Sequence, residues 1–165
     1  MSIEQRRDPK TGQVIIEGTE GNDDIHVKRR MVEGHEDGVI IESRDDEGNL
    51  MSYTLNAEEV KRGGGITIDA GIGDDNIFVD DNVHTDFGLY GGIGDDTIHG
   101  GAGKDTIIGG EDNDTIHGGA GKDYIMGNEG EDKLYGDGGQ DTVIFDRDDT
   151  VIDPGNDKGD RSFDE

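Results

Sequence analysis

Cysteine is absent from this 165-residue chain, so no disulfide can staple it and no thiolate can hold a metal. Tryptophan is absent too, and apolar residues make up only 28%, little material for an ordinary core. Basic residues are scarce, 15 Lys and Arg against 41 Asp and Glu, for a formal charge of −26. Such acidity repels nucleic acid and anionic membrane, so neither is expected as a direct partner. No apolar run approaches the ~20 residues that span a bilayer, so no membrane insertion is expected. The polar start, Met1 to Gly12, lacks the apolar stretch of a Sec-type signal peptide. By composition alone the chain reads as an acidic, glycine-rich disordered segment.

The order of the residues says otherwise. From Gly91 to Ile144 one nine-residue phrase occurs six times without a gap: GGIGDDTIH, GGAGKDTII, GGEDNDTIH, GGAGKDYIM, GNEGEDKLY and GDGGQDTVI. The template is G-G-x-G-x-D-x-U-x, with U a large aliphatic. Position 6 is Asp96, Asp105, Asp114, Asp123, Asp132 and Asp141; position 8 is Ile98, Ile107, Ile116, Ile125, Leu134 and Val143. A short fixed period with one acid and one aliphatic per unit predicts a solenoid whose units stack into a continuous core.

Each part of the phrase has a physical reason. Glycines allow the positive φ of a tight turn whose carbonyls form an oxygen cup. Positions 7 to 9 form a very short strand that sends position 8 inward and its neighbours outward. Two phrases make one coil, so phrases of equal parity stack, with parallel strands about 4.8 Å apart. Asp96, Asp114 and Asp132 then form one carboxylate column, and Asp105, Asp123 and Asp141 a second on the opposite edge. Carboxylates so close repel by about 1 kcal/mol per pair even in water. A hard divalent cation between successive turns reverses the sign. Calcium, with six to eight oxygens in flexible geometry, suits such a cup better than octahedral, tightly hydrated magnesium.

On these motifs the sequence resembles the RTX family of calcium-binding nonapeptide repeats. The resemblance implies an all-β fold, a right-handed parallel β-roll, disordered without calcium and folded with it. It also implies a secreted protein of a Gram-negative bacterium, extracellular without a Sec signal and exported unfolded by a type I route.

Three parts are expected: an irregular N-terminal β cap of degenerate or widened coils over 1–65, the calcium-binding roll over 66–152, and an acidic flexible tail over 153–165. Residues 1–12 read as a mobile polar leader. Val14 to Ile16 begin a strand, and Gly18 to His26 is an isolated copy of the phrase with Asp23 at position 6, whose contact with calcium stays open. Val39 to Ile41 and the alternating Met51, Tyr53 and Leu55 read as strands. Asn56 and Glu59 have capping-box spacing for a short helix ending at Gly63. AGIGDDNIF, from Ala70, restores the phrase with Asp75 in the ligand position; the next unit has Phe87 in place of the acid. Counting through the insertion Val79 to Asp81 puts Asp75 in the column of Asp96.

About five Ca2+ are therefore expected, between Asp75 and Asp96, Asp96 and Asp114, Asp114 and Asp132, Asp105 and Asp123, and Asp123 and Asp141. Turn residues completing these sites are Gly73, Gly92, Gly94, Gly101, Gly103, Gly110, Asp112, Gly119, Gly121, Gly130 and Gly139. Asp112, Asn128 and Asp137 replace turn glycines and are residue types that tolerate positive φ. His99 and His117 share position 9 one coil apart and read as a solvated outer face rather than a metal pair. No Walker, HExxH, GxSxG or EF-hand pattern occurs, and the carboxylate pairs recur in identical settings instead of being set apart as acid and base, so no enzyme activity is expected. Two further readings are a secreted effector or adhesin whose protein partner meets residues 28–62, and an accessory module of a larger secreted enzyme.

Overall fold

The computed structural model describes residues 3–62 and 65–152. The chain begins with β1 (Glu4–Arg7) and β2 (Val14–Glu17), an antiparallel pair. Ile3 is buried, and its carbonyl accepts the Tyr53 hydroxyl at 2.9 Å. The expected mobile leader is thus an edge strand from residue 4, held by one apolar anchor and by the ladder to β2.

Next come β3 (Asp24–Val32), β4 (His35–Arg44), β5 (Leu50–Asn56) and α1 (Ala57–Arg62). β2 pairs in parallel with β6 (Ile66–Ile72), and β3 with β7 (Asn76–Val79), so residues 14–27 already form a coil of the solenoid. Residues 28–62 are then an excursion from it. Widened coils were expected here, but β3, β4 and β5 form an antiparallel meander. The cause lies at Glu33 and Gly34, both at positive φ (51° and 82°). Two such residues in a two-residue loop make the turn that matches strand twist in a hairpin, which reverses the chain. The capping box at the helix start forms as its spacing predicts: the Asn56 N–H donates to Glu59 Oε2 at 2.9 Å and the Glu59 N–H to Asn56 Oδ1 at 3.0 Å. Gly63, the expected helix stop, and the tail 153–165 lie outside the described residues.

The regular stack continues through β8 (Phe87–Ile93), β9 (Thr97–His99), β10 (Thr106–Glu111), β11 (Thr115–His117), β12 (Ala120–Gly121), β13 (Tyr124–Glu129), β14 (Lys133–Tyr135), β15 (Gly138–Gly139), β16 (Thr142–Ile144) and β17 (Thr150–Ile152). Two sheets face each other. One runs β1-β2-β6-β8-β10-β13-β16 and the other β17-β14-β11-β9-β7-β3-β4-β5, while β12 and β15 pair separately. All-β stacking of parallel coils, as a β-roll, is the architecture.

Register places the position 8 side chains in two ladders. Ile25, Ile77, Ile98, Ile116, Leu134 and Val151 line one sheet, and Ile16, Ile68, Leu89, Ile107, Ile125 and Val143 the other. All but Val151 are buried. Each buried aliphatic contributes roughly 1.5–3 kcal/mol, and a one-residue slip would turn the whole ladder to solvent. The insertion at Val79 to Asp81 is absorbed as a corner, with Val79 and Val83 both buried.

Candidate metal centre

Each position 6 aspartate ends a glycine turn just before a strand, so the parallel register that stacks the strands also stacks the carboxylates. The Asp75 N–H donates to Asp96 Oδ1 at 2.8 Å, Asp96 N–H to Asp114 Oδ1 at 2.9 Å, and Asp114 N–H to Asp132 Oδ1 at 2.8 Å. On the opposite edge Phe87 N–H donates to Asp105 Oδ1, Asp105 N–H to Asp123 Oδ1 and Asp123 N–H to Asp141 Oδ1, each at 2.8 Å. Asp75, Asp96, Asp114 and Asp132 thus stack on one edge and Asp105, Asp123 and Asp141 on the other, where Phe87 stands at the head in place of an acid.

One carboxylate oxygen of each is thereby satisfied; the other is not. Among the described residues, Oδ2 of Asp75, Asp96, Asp105, Asp114, Asp123 and Asp132 is buried with no hydrogen-bond partner. Buried acceptors left in this state cost about 1–3 kcal/mol each, more when charged. They face shaped space. A methyl group added to Gly109 would stand 2.0 Å from Asp114 Oδ2 and 2.9 Å from the Gly127 carbonyl oxygen, and one on Gly91 2.2 Å from Asp96 Oδ2 and 2.8 Å from Gly109 O. A carboxylate oxygen and a carbonyl oxygen of the next coil therefore share a cradle that only glycine leaves open.

The other expected turn residues form a backbone column. A methyl on Gly92, Gly94, Gly110, Gly119, Gly121, Gly130 or Gly139 would meet the carbonyl oxygen of Gly71, Gly73, Gly92, Gly101, Gly103, Asp112 or Gly121, respectively, within 2.1 Å. Asp112, Asn128 and Asp137 take φ of 75°, 78° and 62°, so the turns survive their substitution. Among the described residues no three His, Asp or Glu side chains converge to hold a metal. An ion in these cradles would meet carboxylate and carbonyl oxygens, a donor set that fits calcium and offers nothing to a metal that prefers nitrogen or sulfur.

Burial pushes the carboxyls far up. Asp105 and Asp114 rise to about 8, Asp96 and Asp123 to about 7, and Asp75 and Asp132 to about 6; like-charged aspartates nearby add to the effect and the backbone N–H bonds oppose it. An aspartate held near 7 instead of 3.8 weakens the fold at pH 7 by on the order of 4 kcal/mol. Several such groups together are comparable to the ~5–15 kcal/mol that holds a domain together. A cation in the cradles would relieve that cost.

Two aspartates complete the picture. Asp23 heads the first column, its N–H donating to Asp75 Oδ1 at 2.7 Å, but its own Oδ2 accepts the Thr19 N–H at 2.6 Å. It is therefore satisfied within its own turn. Asp149 ends the column by accepting the Asp132 N–H at 3.1 Å. Asp149 carries no glycine signal, although Asp149 to Ile152 repeats the DTVI of Asp141 to Ile144. The outer-face histidines belong to a ring ladder, His26, Phe78, His99, His117 and Tyr135, with successive centroids 5.4, 4.8, 6.0 and 4.1 Å apart.

Among known protein families, residues 90–125, 109–143 and 117–152 match the RTX calcium-binding nonapeptide repeat, a unit of 4 copies. No curated protein and no solved structure matches the chain.

Proposed function

Residues 90–152 are RTX calcium-binding repeats, and from that premise we propose that the roll folds on binding about five Ca2+ between its stacked turns. The observation that carries this is the row of buried Oδ2 atoms without partners among the described residues, all but that of Asp75 beside a glycine cradle. Asp75, Asp96, Asp114 and Asp132 would hold ions along one edge and Asp105, Asp123 and Asp141 along the other, with carbonyls of the intervening turns. Calcium supplies the positive charge that makes these burials favourable. Coupling of this kind suits a protein exported unfolded from a calcium-poor cell by a type I route and folded outside, where calcium is millimolar.

Calorimetric titration of the chelator-treated chain tests the reading. About five ions per chain are expected, with magnesium failing to compete. No calcium uptake, or uptake unchanged when Asp96, Asp114 and Asp123 are all replaced by Asn, would overturn it.

The excursion supports a second role, recognition of a protein partner. It lies outside the repeats and exposes Met31 and Val32 beside the β3–β4 turn and Leu50 and Met51 on β5. Calcium-dependent capture of a specific partner, abolished when residues 28–62 are replaced, would support this role; capture that persists would refute it.

A further inference from the structure

The sheet that runs from β1 to β16 has an outer side. Leu89, Ile107, Ile125 and Val143 are buried in the core, so by strand alternation the residues before and after each of them point outward. Those after them, Tyr90, Ile108, Met126 and Ile144, stand in register as one outward ladder. Those before them, Gly88, Thr106, Tyr124 and Thr142, form a second ladder beside it. All are at least partly exposed, and none is charged in a chain that is 34% charged. Tyr90 leans over Gly88, where an added methyl would stand 3.3 Å from its Cε2, so the gap in the second ladder is covered from within the face.

The two edges of this face carry opposite charge at the same coils. Lys104 and Lys122 stand two residues before Thr106 and Tyr124, while Glu111 and Glu129 end the same two strands as register partners; all four are exposed. On the flanking coils the corresponding pairs are Asp86 with Ile93 and Gln140 with Arg147, so three acidic and three basic residues balance along the rim. That pattern selects the occupant. A two-fold axis lying in the face, parallel to the stack, turns one edge onto the other and keeps each coil level with itself. A second copy so placed sets Lys104 against Glu111 and Lys122 against Glu129. Arg147 then meets Gln140, and Asp86 meets Ile93. Toward the chain start, Asp69 and Glu17 continue the first ladder and fall opposite Thr67 and Ile15, and on β1 Glu4 falls opposite Arg6. No like charges meet across the face. The rest of the formal −26 acts at long range, where a Debye length of ~8 Å at physiological salt screens it. From β6 to β16 the face measures about 24 Å by 20 Å at ordinary strand spacing and rise, about 1,000 Å2 over two copies, the lower limit of specific interfaces.

We propose that this sheet face is a self-association surface: two rolls pack it face to face about a two-fold axis parallel to the stack, each aliphatic ladder lying over the threonine side of the other. The small area makes the dimer weak and concentration-dependent. The inference goes beyond calcium binding and rests on that reading only for an ordered roll.

Sedimentation velocity of the full chain in calcium tests it, from ~1 to ~100 µM because the dimer population follows concentration. A doubling of mass is expected across this range. Ile108→Lys, at an outward position in the middle of the face, should return the monomer. Lys122→Glu and Glu129→Lys should each weaken the dimer about tenfold, because two symmetric contacts turn repulsive. Combining both changes in one chain should restore it, and so should mixing the two single variants. A monomer throughout, a dimer that survives Ile108→Lys in folded protein, or a double variant no tighter than its single parents would overturn the assignment. Circular dichroism of the same samples reports the calcium response separately, so a monomer with a normal response rejects the face pairing alone.

Discussion

Asp114 sits mid-column, with Oδ1 accepting the Asp96 N–H, its own N–H donating to Asp132 Oδ1, and Oδ2 facing the Gly109 cradle. Replacing it with Asn keeps the shape and removes the charge, so two effects of opposite sign are separable. In calcium, losing one carboxylate ligand should cost about 1–3 kcal/mol, roughly fivefold to 150-fold in the affinity of that site, seen as a higher calcium midpoint. In chelator the same change removes a buried ionisable group that opposes folding, so Asp114→Asn should move the metal-free chain toward structure. Circular dichroism under both conditions checks the pair of signs. Position 6 was legible because the glycine period marks it even without coordinates. Asp149 was not, because its phrase has lost its glycines and only the D-x-U remainder is left. The closure of Asp23 by Thr19 was equally hidden, since the donor to its Oδ2 is a backbone N–H whose direction no residue type announces.

At the scale of the strand, the aliphatic ladder is what the metal columns are built upon. Ile116 is fully buried between Ile98 and Leu134, and Ile116→Ala should cost about 2–5 kcal/mol. If folding is coupled to calcium uptake as proposed, the loss should appear as a higher calcium midpoint with unchanged stoichiometry, measured by calorimetry. The coils themselves could be read from their period, since every element repeats one local solution. The meander could not: β3 continues past the end of its coil, and its reversal depends on two residues, Glu33 and Gly34, that carry no periodic signal. The leader failed for a related reason, as β1 has no apolar alternation and is fixed by Ile3 and by pairing with β2.

Over the whole molecule, charge decides the state of the chain. Asp75, Asp96, Asp105, Asp114, Asp123 and Asp132 have folded-state values of about 6 to 8, above the ordinary 3.8. The folded form therefore binds more protons than the unfolded form between about pH 4 and 8, and stability without metal falls as pH rises through that window. In chelator, acidification from pH 8 to pH 5 should increase β-structure, read by far-UV circular dichroism; a loss of β-structure on acidification would contradict the assigned burial. The same logic explains how an acidic, apolar-poor sequence specifies an ordered roll. On the proposed function, its composition describes the metal-free chain and its period the bound one. The most direct measurement is a far-UV circular dichroism titration at neutral pH, from chelator to millimolar calcium, with magnesium alongside. The account predicts a cooperative coil-to-β transition with calcium and none with magnesium. A chain already β-structured in chelator, or unmoved by calcium, would contradict it.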